Sequence, residues 1–359
     1  MKCAVVGGGI NGVMAAWALA RRGHRVDLYE RGQLMAATSS ASTKLIHGGL
    51  RYLEHGEFRL VREALRERTF WISSAPDLVH PLQLFVPLYE ESRRPRWLIG
   101  WGLILYDLLA GKANLGKHRW FDREGVRRMC PQLRSEGLRG AFAFFDAQMD
   151  DLALGMWAAQ RAEQAGVEIH TETSVDTVGV DGSLHVNGRV AAYDAVVNAG
   201  GPWAETILDQ SGIPRTHGLD LVRGSHLILA RSTQHAFLVE VPGEERFCFV
   251  LPYQGQTLLG TTEVRQTLDD PIACSVAEQS YLLGVYNHYI RPSATDIDVV
   301  RRFAGLRPLL RSNANQSRAT REYAIEVQGR VVSVFGGKWT TSRALGEKVA
   351  STVEAMLRV

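Results

Sequence analysis

The sequence has little that would bind a metal, a nucleic acid or the interior of a membrane. Its 359 residues include four cysteines, Cys3, Cys130, Cys248 and Cys274, widely scattered and without a C-x-x-C spacing. That pattern excludes a zinc ribbon and a disulfide framework; reduced thiols, no metal and a cytoplasmic setting are expected. The formal net charge is only +3, a diffuse excess and not the basic stripe that nucleic acid requires. No apolar run reaches the ~20 residues of a spanning helix. The nearest candidate, Trp97 to Leu109, is shorter and contains Asp107. It is bordered by Arg93, Arg94, Arg96, Lys112 and Lys117. Two readings stay open for it: a buried helix or lid segment, and a helix lying peripherally on a membrane. Repeats and low-complexity linkers are absent too. Hydrophobic residues at 45% and charged residues at 22% are ordinary for a globular protein. The length allows two joined domains or one large one.

What is present begins at the N-terminus. An apolar run, Cys3 to Val6, enters Gly7, Gly9 and Gly12 in the spacing G-x-G-x-x-G. A helical segment from Val13 to Arg22 and a short strand, Arg25 to Tyr29, follow, and the strand ends on Glu30. This strand–turn–helix–strand unit with a terminal acid is the fingerprint of a dinucleotide site. The first glycine permits the tight turn, the second lets backbone approach a pyrophosphate, and the third lets helix and strand pack closely. The helix N-terminus offers amide donors and a positive dipole end to the phosphates. Glu30 would accept hydrogen bonds from a ribose, and an acid there argues against NADP. The motif alone does not choose between FAD and NAD.

Further along, Thr38 to Thr43 (TSSAST) suits wrapping a phosphate or a flavin edge, and KLIHGG carries the Gly48–Gly49 pair. A helix is expected from Phe58 to Ile72, and strands over Leu84 to Tyr89 and Gly140 to Phe145. Asp150 or Asp151 should cap a helix that runs to Ala165. Val175 to Val180 and Leu184 to Val190 are expected to form a hairpin about Asp181–Gly182. Two later strands, Tyr193 to Asn198 and Val331 to Phe335, each end in a glycine pair. The region from Gly218 to about Tyr289 is expected to be rich in strands. The expected fold is α/β: a discontinuous Rossmann-like FAD-binding domain (1–72, 148–215 and 300–359) with a mainly β-sheet substrate domain (73–147 and 216–299). A second strand–Gly–Gly–helix unit near the C-terminus favours a flavin, because its dipole would stabilise a reduced, anionic ring.

Several collinear segments then carry a family resemblance. They are TSSASTKLIHGGLRYLE (38–54), GEFRLVREAL (56–65), Met149–Asp150–Asp151, NAGGPW (198–203), RGSH (223–226), GTTEV (260–264), GLRPL (305–309), TREY (320–323) and SVFGGKWTTSR (333–343). Together they resemble the FAD-dependent glycerol-3-phosphate dehydrogenases over nearly the whole chain. The resemblance implies oxidation of sn-glycerol 3-phosphate at C2 to dihydroxyacetone phosphate, with hydride passing to flavin N5 and electrons to a quinone or another acceptor. It also implies cofactor contacts from Gly7, Gly9, Asn11, Gly12, Glu30, Arg31, Thr38, Ser39, Ser40, Lys44, Leu45, His47, Gly200, Trp203, Gly336, Gly337, Lys338, Trp339 and Thr340. Two positions depart from the family pattern: Gly200 stands where Thr is common, and Trp339 replaces a smaller apolar residue. Bacterial members also carry a helical C-terminal domain that this sequence does not contain, which bears on dimerisation and quinone delivery.

The phosphate of such a substrate needs fixed cations, and arginine offers bidentate geometry. Arg51, Tyr52 and Arg321 are the expected phosphate ligands, joined by Lys338. Arg307 and His226 are placed nearer the carbinol, with His226 as proton acceptor because an imidazole titrates near neutral pH; Lys338 is the rival base. Alternatives stay open. They are an oxidase or dehydrogenase acting on a related phospho-alcohol, hydroxy acid or amino acid, and a flavin-binding subunit without turnover.

Overall fold

The structure is a computed structural model that describes residues 1–311 and 323–358, without the side chains of Arg51 and His55. Two sheets organise it. The first has six strands in the order Tyr323–Gln328, Val331–Gly336, Ala195–Asn198, Lys2–Val6, Arg25–Tyr29 and Val167–His170. All neighbouring pairs are parallel except the first, which is antiparallel. The period-two rule of strands sorts the N-terminal residues onto two faces. Cys3 and Val5 pack against the helices Ile10–Arg21, Asp151–Gln164 and Ser342–Met356, whereas Ala4 and Val6 pack against Val178, Leu184 and the helix Ala204–Gln210. Both faces are covered, as parallel sheets require.

The fingerprint helix starts at Ile10, three residues earlier than the expected Val13. Gly12 explains the fit: a β-carbon there would lie 1.9 Å from the Gly7 carbonyl oxygen. The strands ending at Val6, Asn198 and Gly336 are neighbours in the sheet. Their glycine-rich exits therefore open side by side at the carboxyl edge, where α/β sheets bind ligands.

The second sheet has ten strands and is largely antiparallel. Its longest members are Val79–Tyr89, Leu138–Met149, Leu219–Leu229 and Val299–Leu310. Several expectations need correction here. The stretch Leu184 to Val190 is two strands, Ser183–Val186 and Arg189–Ala192, because Asn187 and Gly188 both take positive φ and turn the chain. Asn-Gly is the strongest short hairpin signal. Within the strand-rich region, Val276–Tyr289 is a helix opened by a capping box between Ser275 and Glu278. The strand Val299–Leu310 pairs with Leu219–Leu229 along its length, so we propose that the domain division runs after it and not at residue 300.

The segment Trp97 to Leu109 is neither fully buried nor a spanning helix. It forms Arg96–Ala110, with Ile99, Leu103, Tyr106 and Ala110 turned inward. Trp97, Trp101 and Leu108 remain 66%, 66% and 72% exposed. No helix among the described residues is long and apolar enough to cross a membrane. Cys3, Cys130, Cys248 and Cys274 are all unpaired, and the first three are buried.

Two helix glycines test the packing. A β-carbon at Gly346 would meet the Met14 carbonyl at 2.5 Å, whereas one at Gly284 meets nothing within 4 Å. Gly346→Ala should lower stability by about 1–3 kcal/mol through overpacking. Gly284→Ala should be neutral or stabilising by roughly 0.5–1 kcal/mol. Urea unfolding of both variants checks this, and equal effects would contradict the helix crossing.

Candidate active site

A cavity of about 810 Å³ runs from the fingerprint to the edge of the second sheet. Gly7, Gly9 and Asn11 line it together with Glu30, Arg31, Thr38–Ser40, Lys44, Gly200, Trp203 and Gly336–Trp339. The far wall is Arg301, Phe303–Leu306 and Pro308. Three sequence-distant glycine turns thus meet in one space, as parallel pairing of their strands dictates.

At the dinucleotide end, Glu30 accepts hydrogen bonds from the amides of Gly8 (2.6 Å) and Gly32 (2.9 Å). Each carboxylate oxygen keeps further acceptor capacity for a ribose. Asn11 Nδ2 donates to the Gly336 carbonyl at 3.2 Å, while its buried Oδ1 has no partner. Ser39 Oγ accepts from the Ile10 amide (3.0 Å), and the Ser39 carbonyl accepts from Trp339 Nε1 (2.8 Å). That bond and an edge-to-face contact with Trp71, ring centroids 5.4 Å apart, account for the tryptophan at 339. Gly200 is equally enclosed, since a β-carbon there would lie 2.7 Å from Ile207. The Arg31 guanidinium lies over the Trp203 ring at 3.9 Å and so spans two walls of the cavity.

The loop from Thr38 to Lys44 is locked from below. Asp151 accepts from the Ser42 amide, the Ser42 hydroxyl (2.7 Å) and Lys44 Nζ (2.5 Å). Both members of that ion pair are buried. Asp150 instead caps the helix, accepting from the Ala153 amide. Leu45 is buried and pairs with Gln148 in the large sheet. The His47 amide donates to Thr340 Oγ1 at 3.3 Å.

Toward the second sheet, Lys338 lines the cavity with Nζ 4.0 Å from the Tyr52 ring centroid. Arg307 Nη2 donates to Thr261 Oγ1 (2.8 Å) and the Thr262 carbonyl (3.2 Å), with Glu263 3.5 Å from Nη1. Its guanidinium occupies the space over Gly224, where a β-carbon would come within 2.0 Å. Arg321 lies outside the described residues, as does the Arg51 side chain.

His226 is 2% exposed, stacked on Phe303 at 4.9 Å and hydrogen-bonded through Nε2 to Thr43 Oγ1 at 3.0 Å. Its buried Nδ1 has no partner. Burial, then the Arg307 and Lys44 charges, push its pKa well below the usual imidazole value. His226 does not line the cavity, and burial beside two cations makes its ring a weak base, which counts against the expected role of proton acceptor. Sequence reasoning also passed over Thr43, Asp151, Thr261, Thr262 and Phe303. Motifs quoted as strings contain most of them, but their partners are remote in sequence.

The depressed His226 pKa has a stability consequence. The unfolded chain binds a proton at His226 that the folded chain refuses, so stability is lost as pH falls below about 6.5. The thermal midpoint should decline on acidification through that window, and His226→Gln should flatten the decline. An unchanged slope would show the ring is protonated in the fold.

The profile of the family described as FAD dependent oxidoreductase matches residues 2–352. Glycerol-3-phosphate dehydrogenase of Pseudomonas aeruginosa is 39% identical over 98% of this chain and 71% of its own length. D-erythritol 1-phosphate dehydrogenase of Brucella abortus is 35% identical over 96% of this chain and 72% of its own. The solved glycerol-3-phosphate dehydrogenase of Bacillus halodurans, complexed with FAD, superposes with a TM-score of 0.80 at 24% identity. That match covers 100% of this chain, which spans 65% of the solved one, and it speaks to the fold.

Proposed function

The chain belongs to the FAD dependent oxidoreductase family, and from that premise we propose that it oxidises sn-glycerol 3-phosphate at C2 to dihydroxyacetone phosphate. It is an FAD-dependent enzyme with relatives named glycerol-3-phosphate dehydrogenase. The cavity fits that cofactor. Glycine turns and the unpartnered Asn11 Oδ1 face one end, and Glu30 stands ready for a ribose. Gly7, Gly9, Asn11, Glu30, Ser39, Gly200, Gly336 and Gly337 would hold it. When bound, FAD supplies the two-electron acceptor for the hydride leaving C2.

The observation that carries the substrate reading is the cavity's second end. Lys338, held over Tyr52, stands on one wall. Leu306 and Pro308, the sequence neighbours of Arg307, also line the cavity. A cation held at that end suits a phosphate dianion. In this reading Lys338 and Tyr52 take the phosphate, with Arg51 and Arg321, and Arg307 orients the C2 oxygen. The His226 ring keeps Thr43 and Phe303 in place. The Brucella abortus relative supports a second reading, a longer phospho-alcohol in the same site.

Anaerobic mixing of the FAD-loaded protein separates these. Bleaching of the oxidised flavin by sn-glycerol 3-phosphate supports the first reading, and faster bleaching by D-erythritol 1-phosphate the second. No bleaching by either would leave a flavin protein without this activity.

We also propose that electrons leave at a membrane, to a quinone or a similar acceptor. Exposed Trp97, Trp101 and Leu108 lie beside exposed Arg93, Arg96, Lys112 and Lys117. This is the make-up of an interfacial helix on anionic lipid. The protein should co-sediment with phosphatidylserine vesicles at low salt, and Trp97→Ser/Trp101→Ser should abolish it. Equal sedimentation of the double variant would remove this helix from the contact.

A further inference from the structure

Two motifs of the second sheet share a partner that neither contains, and a third is reached through one of them. On the strand Leu219–Leu229 side chains alternate. Gly224 and His226 face Arg307 and Phe303, while Arg223 and Ser225 face the helix Val276–Tyr289. There they meet Glu278, which is 5% exposed in that helix's first turn. Its Oε1 accepts from Ser225 Oγ (2.7 Å) and Thr262 Oγ1 (2.7 Å). Its Oε2 accepts from Arg223 Nη2 (2.9 Å) and from the Ser275 amide and hydroxyl. Although burial opposes ionisation, the bonds from Ser275, Thr262, Ser225 and Arg223 hold its pKa down to about 2.

The chain of contacts continues to the cavity. Thr262 Oγ1 also accepts from the Ser225 amide at 2.9 Å. The Thr262 carbonyl and the Thr261 hydroxyl receive Arg307 Nη2. Ser225 is the neighbour of His226. A helix cap needs only the Ser275 bonds. The remaining four bonds, two of them from Arg223, join Glu278 to RGSH and GTTEV, and through GTTEV to the arginine of GLRPL.

We propose that Glu278 is a positioning residue: through Thr262 and Ser225 it sets where Arg307 and His226 sit relative to the bound substrate. The inference rests on reading Arg307 as the group that meets the phosphorylated substrate. A buried anion with its acceptor sites engaged restrains the Thr262 hydroxyl, and with it the turn whose Thr261 hydroxyl and Thr262 carbonyl receive Arg307. Loss of that restraint should weaken substrate recognition more than it affects cofactor loading.

The test uses the FAD-loaded protein and dihydroxyacetone phosphate, with binding read from the perturbed visible absorption of the flavin. Glu278→Gln and the near-isosteric Thr262→Val should each weaken binding by about tenfold to a hundredfold, the scale on which misplaced groups act. FAD content should hold. Ser275→Ala, which removes the cap hydroxyl and leaves the bonds from Ser225, Thr262 and Arg223 to Glu278, should lower the thermal midpoint and keep the wild-type affinity. Crystal structures of the two site variants should show Arg307 displaced from Thr261. Unchanged affinity in Thr262→Val, or Arg307 unmoved in both structures, would reduce Glu278 to a helix cap. If the wild type itself gives no perturbation, the substrate reading fails, and the Arg307 position alone then decides the role of Glu278.

Discussion

The loop from Thr38 to Ile46 is the joint on which the two sheets meet, and one buried carboxylate holds it. Asp151 takes three hydrogen bonds from Ser42 and Lys44. In that state the loop reaches the fingerprint through Ser39, the large sheet through Thr38 and the Leu306 carbonyl, and His226 through Thr43. Removing one partner of a buried ion pair commonly costs about 3–5 kcal/mol, because the other charge is left uncompensated. Here it would also release the wall between cofactor and substrate ends. The family motif around Met149–Asp150–Asp151 thus divides its labour: one acid starts a helix and the next fastens a loop.

The same economy appears where side chains occupy the space a β-carbon would fill. Arg307 lies over Gly224, and the His226 ring lies 2.2 Å from where a β-carbon of Gly260 would be. The two glycines sit on paired strands of one sheet. Specific cationic and aromatic groups can then stack on bare backbone in a dry corner. Burial of the His226 ring has an electrical consequence, since a third positive charge there would face Arg307 and Lys44.

Much of the fold was legible because short-range rules fixed it. The glycine spacing, the acid after the second strand and the two later glycine-pair exits all lie within segments of a few residues. Parallel pairing then brought them to one edge. What escaped was either a local signal left unread or a long-range one. Ser275 with Glu278 spelled a capping box, and Asn187–Gly188 spelled a turn. The burial of His226 was a different matter. It depends on Phe303, Thr43 and Gly260, which no spacing connects. The expectation that His226 titrates near neutrality used its intrinsic pKa, and burial between two cations overrides that value. The inward face of Arg96–Ala110 was similarly hidden, because its partners lie across strands distant in sequence.

We propose that a single cavity holds the flavin against the glycine edge and the substrate phosphate against Lys338. A crystal structure of the FAD-loaded protein with dihydroxyacetone phosphate decides this. The phosphate should lie within hydrogen-bonding reach of Lys338 and Tyr52, with the C2 oxygen directed to Arg307. A phosphate bound away from Lys338, with Arg307 turned from the ligand, would contradict it.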